Sequence, residues 1–446
     1  MRQGMKKYRG QAWLMPFQEP TVILPPDSLE SQVKKIPEPD LTLNGNMYRR
    51  FFGRYTQIGT DDDELIAALR RDLTHNVPSL SRLMAEEVAY GYDHVVGPLA
   101  DWKPCPTYHT MLQIVALTSG RVFVGLPLSR DPAWVRASIE HTTSSVHLSD
   151  KLRAYPPWLR AWVAPFLKER KQVQAVQDTF GRLLEPVIAA ARLGAAEGSA
   201  RNGGAKSESR QELGRMTNWL LVQYARNSAA AGTGRIVRDH LTLAFAAVHV
   251  ASMVLTHVLH DLATRPQYLG ILRNELETEL QACSGNVLDS RALGNLVIMD
   301  SFIKESLRMN PPGVISWFRL TTVPIHLSNG QVIPENTMVA YCNPRFDPAV
   351  DKTLDDPEVF DGLRFARTGS KLEALSVDSL AFGYGIHACP GRSFAVAELK
   401  LIVAHLIQHY DIRLQAGKTR PENIPLDFQL IPNPEGRVLL RSRVKQ

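Results

Sequence analysis

The most chemically pointed stretch of the chain is Phe382-Gly383-Tyr384-Gly385-Ile386-His387-Ala388-Cys389-Pro390-Gly391-Arg392. Glycines at 383, 385 and 391 let the backbone turn tightly and come close to something flat and bulky. Cys389 stands just before an apolar run, 391–410, that reads as a buried helix, and Pro390 suits a first helical turn. The positive end of a helix favours a thiolate by about 0.3–1 kcal/mol when exposed. A thiolate presented this way can be a metal ligand or a nucleophile; the plainer alternative is a buried structural cysteine. A nucleophile needs a base, and although His387 is near in sequence, no cysteine-hydrolase signature surrounds it. The other cysteines, Cys105, Cys283 and Cys342, form no CxxC pair. That spacing argues against a zinc knuckle or a secreted disulfide framework and for a reducing compartment.

A second pair sits upstream. Glu305 and Arg308, at i and i+3 of a predicted helix over 293–309, share a face and can pair. Taken alone, such a pair reads as an ordinary surface contact worth a few tenths of a kcal/mol. A third feature is His240–His260, which contains no Asp, Glu, Lys or Arg and is long enough to span a bilayer. It holds His249, His257, His260, Thr242, Ser252 and Thr256, however, and polar groups inside lipid are expensive. A buried core helix is expected.

These residues need elements to hold them. Residues 11–25 read as two strands and 62–100 as helical. Helical patterns over 131–193 break at Pro156-Pro157 and Pro165. Residues 194–212, rich in Gly, Ala and Ser, read as a flexible loop. Helices are predicted over 213–228, 235–264, 266–283 and 293–309. Strands over 317–342 turn at Asn329-Gly330, and more strands follow over 425–442. The class is mainly α with a small β part. Strand segments this far apart predict one small sheet and a single interleaved domain over 1–446. With 446 residues, 51 Lys plus Arg against 45 Asp plus Glu, and 44% hydrophobic residues, the chain has the composition of an ordinary globular protein. The net charge of +6 is scattered, which gives no reason to expect nucleic acid; an acidic protein partner or an anionic membrane face suits it as well. The N-terminus has no apolar h-region and reads as neither signal peptide nor anchor.

Phe-x-x-Gly-x-His-x-Cys-x-Gly over 382–391 resembles the haem-ligand loop of the cytochrome P450 monooxygenases, in the variant common among fungal microsomal members. The family's Glu-x-x-Arg is matched by Glu305-Ser306-Leu307-Arg308. Its Asp-Pro…Phe-x-Pro-x-Arg-Phe is matched by Asp356-Pro357 and Phe360-Asp361-Gly362-Leu363-Arg364-Phe365, with Gly362 in place of proline. LTHNV at 73–77, SGRVFVGLPLSRDPAW at 119–134 and the C-terminal segment also resemble fungal members of terpenoid, indole-diterpenoid and meroterpenoid pathways. The likeness covers almost the whole chain. It departs in lacking the family's Trp-x-x-x-Arg near 75–82, and KKYRG resembles the end of the family's first helix, so the N-terminal anchor and proline hinge are expected to be absent.

The resemblance implies the P450 fold, with a long central helix over haem b. Cys389 is the implied axial ligand, in a loop with Phe382, Gly383 and Gly391. Glu305, Arg308 and Arg364 form the implied buried triad, and Arg319 and His387 the implied contacts to the two propionates. The run Ala246-Ala247-Val248-His249-Val250-Ala251 matches the family's oxygen-activating segment. His249 replaces its acid, either as a proton relay or as a core histidine on a neighbouring carbonyl. Val250 replaces its threonine, with Ser252 able to reach in from the same helix. Phe245, Ala246, Val250, Ile315 and Trp317 are the expected apolar pocket. The expected function is haem-thiolate oxidation of a lipophilic small molecule in secondary metabolism by a monomer fed by NADPH-cytochrome P450 reductase, since no flavin or nicotinamide motif occurs in the chain. The expected location is the cytoplasmic face of the endoplasmic reticulum, with peripheral attachment. The rivals are a haem-thiolate isomerase or dehydratase that needs no reductase, which Val250 suggests, and a non-catalytic haem-binding accessory protein.

Overall fold

The computed structural model describes residues 1–60, 63–200, 214–227, 232–347 and 354–443. They form two compact units, each assembled from separated stretches of chain. The first unit comprises Met1–Asp61, Val297–Arg392 and Pro421–Asn433; the second comprises Asp62–Leu296, Ser393–Arg420 and Pro434–Gln446.

The first unit is built on a five-stranded sheet in the order Trp13–Met15, Thr21–Ile23, Met338–Cys342, Ile315–Thr321, Leu41–Thr42. Met338–Cys342 reads Met-Val-Ala-Tyr-Cys and is buried throughout, as an unbroken apolar run should be in a central strand. It runs parallel to Thr21–Ile23 and antiparallel to Ile315–Thr321. The latter register shifts between Ser316 and Arg319, a bulge that holds Trp317 at φ 49°. The predicted turn at Asn329-Gly330 closes the small hairpin Ile325–His326 and Val332–Ile333, with Gly330 at φ 82° as the turn requires.

The second unit is helical. Its axis is the helix Thr233–Thr264, packed against Thr107–Phe123, Pro132–Arg153 and Lys168–Ala200. By length and composition this helix could cross a membrane, yet 67% of its most apolar window is buried inside the protein. Several of its polar groups find protein partners, whereas neither ring nitrogen of the buried His260 has a hydrogen-bond partner. Asp239 accepts from Tyr224 Oη at 2.6 Å, His240 Nε2 meets Thr217 Oγ1 at 2.9 Å, and Asp261 accepts from Arg265 and Arg420. Satisfied this way, a run free of charges can lie in a protein core.

Two expectations are corrected. The strands do not meet in one sheet. The C-terminal strand Arg437–Ser442 pairs instead with Lys103–Pro106 and Tyr410–Arg413 in a separate three-stranded sheet, and Ile424–Leu426 pairs only with Gln429–Ile431. Pro104 and Pro106 mask the strand character of Lys103–Pro106 in the sequence; prolines are tolerated there because the strand is an edge. Residues 194–200 of the expected loop are helical instead. The helix Lys168–Ala200 continues through its Ala-rich end, Ala being the best helix former, and 201–212 lies outside the described residues.

Candidate functional site

In the first unit, the segment before Arg392 is a chain of tight turns. A 3-10 turn over Leu380–Phe382 ends on Gly383 at φ 71°, ψ −164°, a conformation open essentially to glycine alone. A second 3-10 turn, Gly385–His387, follows, and Cys389 N–H then donates to Phe382 O at 2.8 Å, closing the loop. Cys389 is half-buried, whereas the other three cysteines are buried. Burial pushes its thiol up; the Gly391 N–H, which donates to the sulfur, and the Arg392 charge pull the other way. A side chain added at Gly385 or Gly391 would meet nothing within 4 Å, so a flat group has room to approach the loop.

Glu305, Arg308 and Arg364 meet in the same unit. Glu305 is fully buried, and Arg308 grips it with two bonds, Nε to Oε2 at 2.7 Å and Nη2 to Oε1 at 2.8 Å. Arg364 Nε and the Asp361 N–H also donate to Oε1, at 3.3 and 3.0 Å. The rest of both guanidinium groups is taken up by carbonyls, Pro357 for Arg308 and Asp355, Asp356 and Val359 for Arg364. The triad therefore fastens the segment 355–364 to the helix Val297–Met309.

Arg319 is 3% exposed. Its guanidinium donates to its neighbour's carbonyl, Phe318 O, at 2.8 Å and lies over the Trp317 ring at 4.2 Å. Among the described residues no carboxylate reaches it within ion-pair distance. Burial pushes its pKa down to about 10, with the more distant Glu38 charge opposing. A buried cation without a close anion is a ready place for an acidic group. His387 Nε2 lies 2.5 Å from Glu38 Oε2, a partner 349 positions away that no local pattern announces. Of the expected pocket residues in this unit, Trp317 is half-buried against Tyr341, whereas Ile315 packs in the core of the sheet with Ile23, Ala340 and Cys342.

In the second unit, Ala246 and Val250 are exposed one turn apart, Val250 by 47%, on a helix whose adjacent Val248, His249 and Ala251 are buried. Phe245 is half-buried. His249 lies 2.9 Å through Nε2 from Ile139 O and 3.0 Å through Nδ1 from Tyr108 Oη. Neither partner could be found from the sequence, since each is more than a hundred positions away. Ser252 is fully buried, and its hydroxyl donates back to Val248 O at 2.6 Å.

The residues of the first unit suit an iron porphyrin. They offer a thiol with an N–H at its sulfur, an uncrowded glycine-lined approach, and a buried arginine that lacks a carboxylate. A bound cation would overturn the effect of burial on the thiol, because a coordinating thiol is deprotonated outright.

Comparison with known proteins agrees. Residues 137–440 match the family model described as cytochrome P450. The chain is 34% identical to the cytochrome P450 monooxygenase ascG of Acremonium egyptiacum, over 99% of this chain and 88% of that one. It is 33% identical to gliF of Aspergillus fumigatus (95% and 84%) and 31% identical to BOA7 of Botryotinia fuckeliana (99% and 86%), both described as cytochrome P450 monooxygenases.

Proposed function

The chain belongs to the cytochrome P450 family, and on that premise we propose that Cys389 is its axial thiolate and that it oxidises a lipophilic small molecule of secondary metabolism. The family binds haem b through a cysteine thiolate, and the relatives are monooxygenases, enzymes that need a redox partner. NADPH-cytochrome P450 reductase as that partner, a monomeric state, and a place on the cytoplasmic face of the endoplasmic reticulum belong to the same reading.

Haem, when bound, supplies the activation of dioxygen, and a thiolate ligand pushes electron density onto its iron. The protein supplies the rest. The Gly391 N–H bonds the sulfur and favours its charged form. Phe382 and Gly383 shape the loop around it, and the Glu305–Arg308–Arg364 triad fixes the segment 355–364. Arg319 and His387 are the residues that would take the propionates. Trp317 in the first unit and Phe245, Ala246 and Val250 in the second are the apolar residues that the family resemblance assigns to the substrate. His249 has both ring nitrogens engaged, which supports a positioning role for it over proton relay. Ser252 spends its proton on Val248 O, which leaves substrate or water as the proton donor beside Val250.

The observation that carries the assignment is that Cys389, the one cysteine that is only half-buried, stands in the glycine-lined loop that its own N–H closes on Phe382 O at 2.8 Å. The test is the reduced carbonyl spectrum. Cys389→His should abolish the red-shifted Soret band of thiolate ligation, while Cys105→Ala, Cys283→Ala and Cys342→Ala keep it. Loss of the band in one of those three alone would reassign the ligand.

A further inference from the structure

His387 is one of the two residues that the family resemblance gives to the haem propionates, yet the chain already brings a carboxylate of its own to it. Glu38 Oε2 lies 2.5 Å from His387 Nε2. Glu38 belongs to the segment 36–40, which joins the 3-10 turn Val33–Lys35 to the strand Leu41–Thr42. That segment is firmly placed. Leu41 and Thr42 pair with Thr321 and Leu320 of the strand that carries Arg319. The Thr322 N–H donates to Asp40 O at 3.0 Å, and the Thr322 hydroxyl donates to Pro39 O. Glu38 is fixed at its other oxygen, where Oε1 accepts from the Leu43 N–H at 3.0 Å, at the start of the helix Leu43–Arg50. The same helix holds the backbone of Arg319, since Asn46 Nδ2 donates to Arg319 O at 2.9 Å. One short helix therefore sets both the carboxylate and the strand that bears the buried arginine. The Glu38 charge is felt at Arg319, where it opposes the effect of burial.

Glu38 thus acts on both side chains that the propionates would use, on His387 by contact and on Arg319 through its field. The Glu38 side chain is 34% exposed and that of His387 20%. A pair this open contributes little to stability and separates at small cost. A propionate arriving at His387 must displace Glu38 or share the ring with it, and two carboxylates brought to one site repel. We propose that Glu38 is a stand-in for a haem propionate, a built-in carboxylate that occupies His387, gives way when the propionate takes it, and so loosens the protein's hold on haem. The proposal rests on the assignment of haem to this unit. Glu38 stays near the site after it gives way, because its segment is pinned to the strand, and a negative charge there favours ferric over ferrous haem.

The test is Glu38→Gln in the haem-loaded protein. Glutamine keeps the length of the side chain and can still accept from the Leu43 N–H, but it carries no charge. Transfer of haem to an excess of apomyoglobin should be about two- to fivefold slower than from the unaltered protein. The reduction potential of the haem should rise, both quantities being read at one fixed pH. A merely structural Glu38 predicts the opposite for the transfer, since a loosened segment would release haem faster. Glu38→Asp keeps the charge but is one methylene too short to hold Leu43 and His387 together. It should slow the transfer by less and leave the potential nearly unchanged, and it decides the question if the glutamine variant does not load with haem. Unchanged or faster transfer, or an unchanged potential, in Glu38→Gln would overturn the proposal, as would faster transfer in Glu38→Asp. The haem assignment fails separately: an unaltered protein whose reduced carbonyl complex lacks the red-shifted Soret band would refute ligation by Cys389 and remove the premise of both.

Discussion

Nε2 of His249 lies 2.9 Å from the carbonyl oxygen of Ile139, on a different helix of the same unit. A carbonyl can only accept, so Nε2 carries the hydrogen, and in the neutral ring Nδ1 accepts from Tyr108 Oη, 3.0 Å away. Burial pushes the His249 pKa down, partly opposed by the Ile139 bond, which favours that neutral ring. His249 thereby ties Thr233–Thr264 to Pro132–Arg153 and Thr107–Phe123.

The first prediction follows from this clamp. Tyr108→Phe leaves Nδ1 without its donor, and His249→Ala removes both bonds, so each should cost about 1–3 kcal/mol. The costs should be less than additive in the double variant, because the bond they share can be lost only once. Unfolding by denaturant measures the cycle. Additive losses would mean that the Tyr108 contact contributes nothing.

Glu305 supports the second prediction. Its buried carboxylate holds two guanidinium groups and a backbone N–H. Glu305→Ala leaves the buried Arg364 and the half-buried Arg308 without their carboxylate and should cost about 3–5 kcal/mol. Arg308→Lys should cost less, since a charge remains although the two-bond grip is lost. Soluble yield and haem content report the difference; a Glu305→Ala protein with normal haem content would reduce the triad to a surface-like pair worth at most about 1 kcal/mol.

Val250 supports the third. Its exposed, apolar side chain offers no proton, and Val250→Thr puts a hydroxyl at nearly the same shape. The position is open enough that stability should change by no more than about 0.5 kcal/mol. If Val250 holds the place that the family's threonine takes, as the resemblance implies, peroxide released per NADPH consumed should fall in this variant, because the position gains a proton donor. If this ratio stays the same and only substrate affinity changes, the position merely shapes the pocket.

These residues differ in how far the sequence disclosed them. Glu305 and Arg308 share a helical turn, so their pairing follows from spacing alone. Arg364, 59 positions from Glu305, was placed with them only by resemblance. Glu38, Tyr108 and Ile139 were not found, because a partner brought in from another element leaves no periodic trace. The helices were legible because 3.6-residue periodicity is local. The sheets were less so: pairing of Lys103–Pro106 with Arg437–Ser442 is set by tertiary packing across more than 300 residues, and its prolines speak against a strand.

The last prediction concerns Glu398, on the helix that follows the cysteine loop. It is buried, among the described residues no cation pairs with it, and its carboxylate oxygen accepts from Ser119 Oγ at 2.7 Å. Burial raises its pKa to about 8, the Ser119 bond opposing. Between the ordinary carboxylate range near 4.5 and about 8, the unfolded chain has lost this proton while the folded protein keeps it. The folded state binds more protons there, so stability falls as pH rises, by about 1.4 kcal/mol per unit across that window. Buried His240, His257 and His260, whose pKa values burial lowers to about 3, 2 and 3, act in the opposite sense below about 6.5 and obscure the trend in the unaltered protein. Glu398→Gln has nearly the same shape, can still accept from Ser119, and is neutral at every pH. Its stability relative to the unaltered protein removes the histidine contribution from the comparison. The two should be nearly equal at pH 5, and the variant should be the more stable by a few kcal/mol at pH 8. Equal denaturant midpoints at both pH values would mean that Glu398 is already ionised at pH 5, held by a cation or water that reaches it in solution.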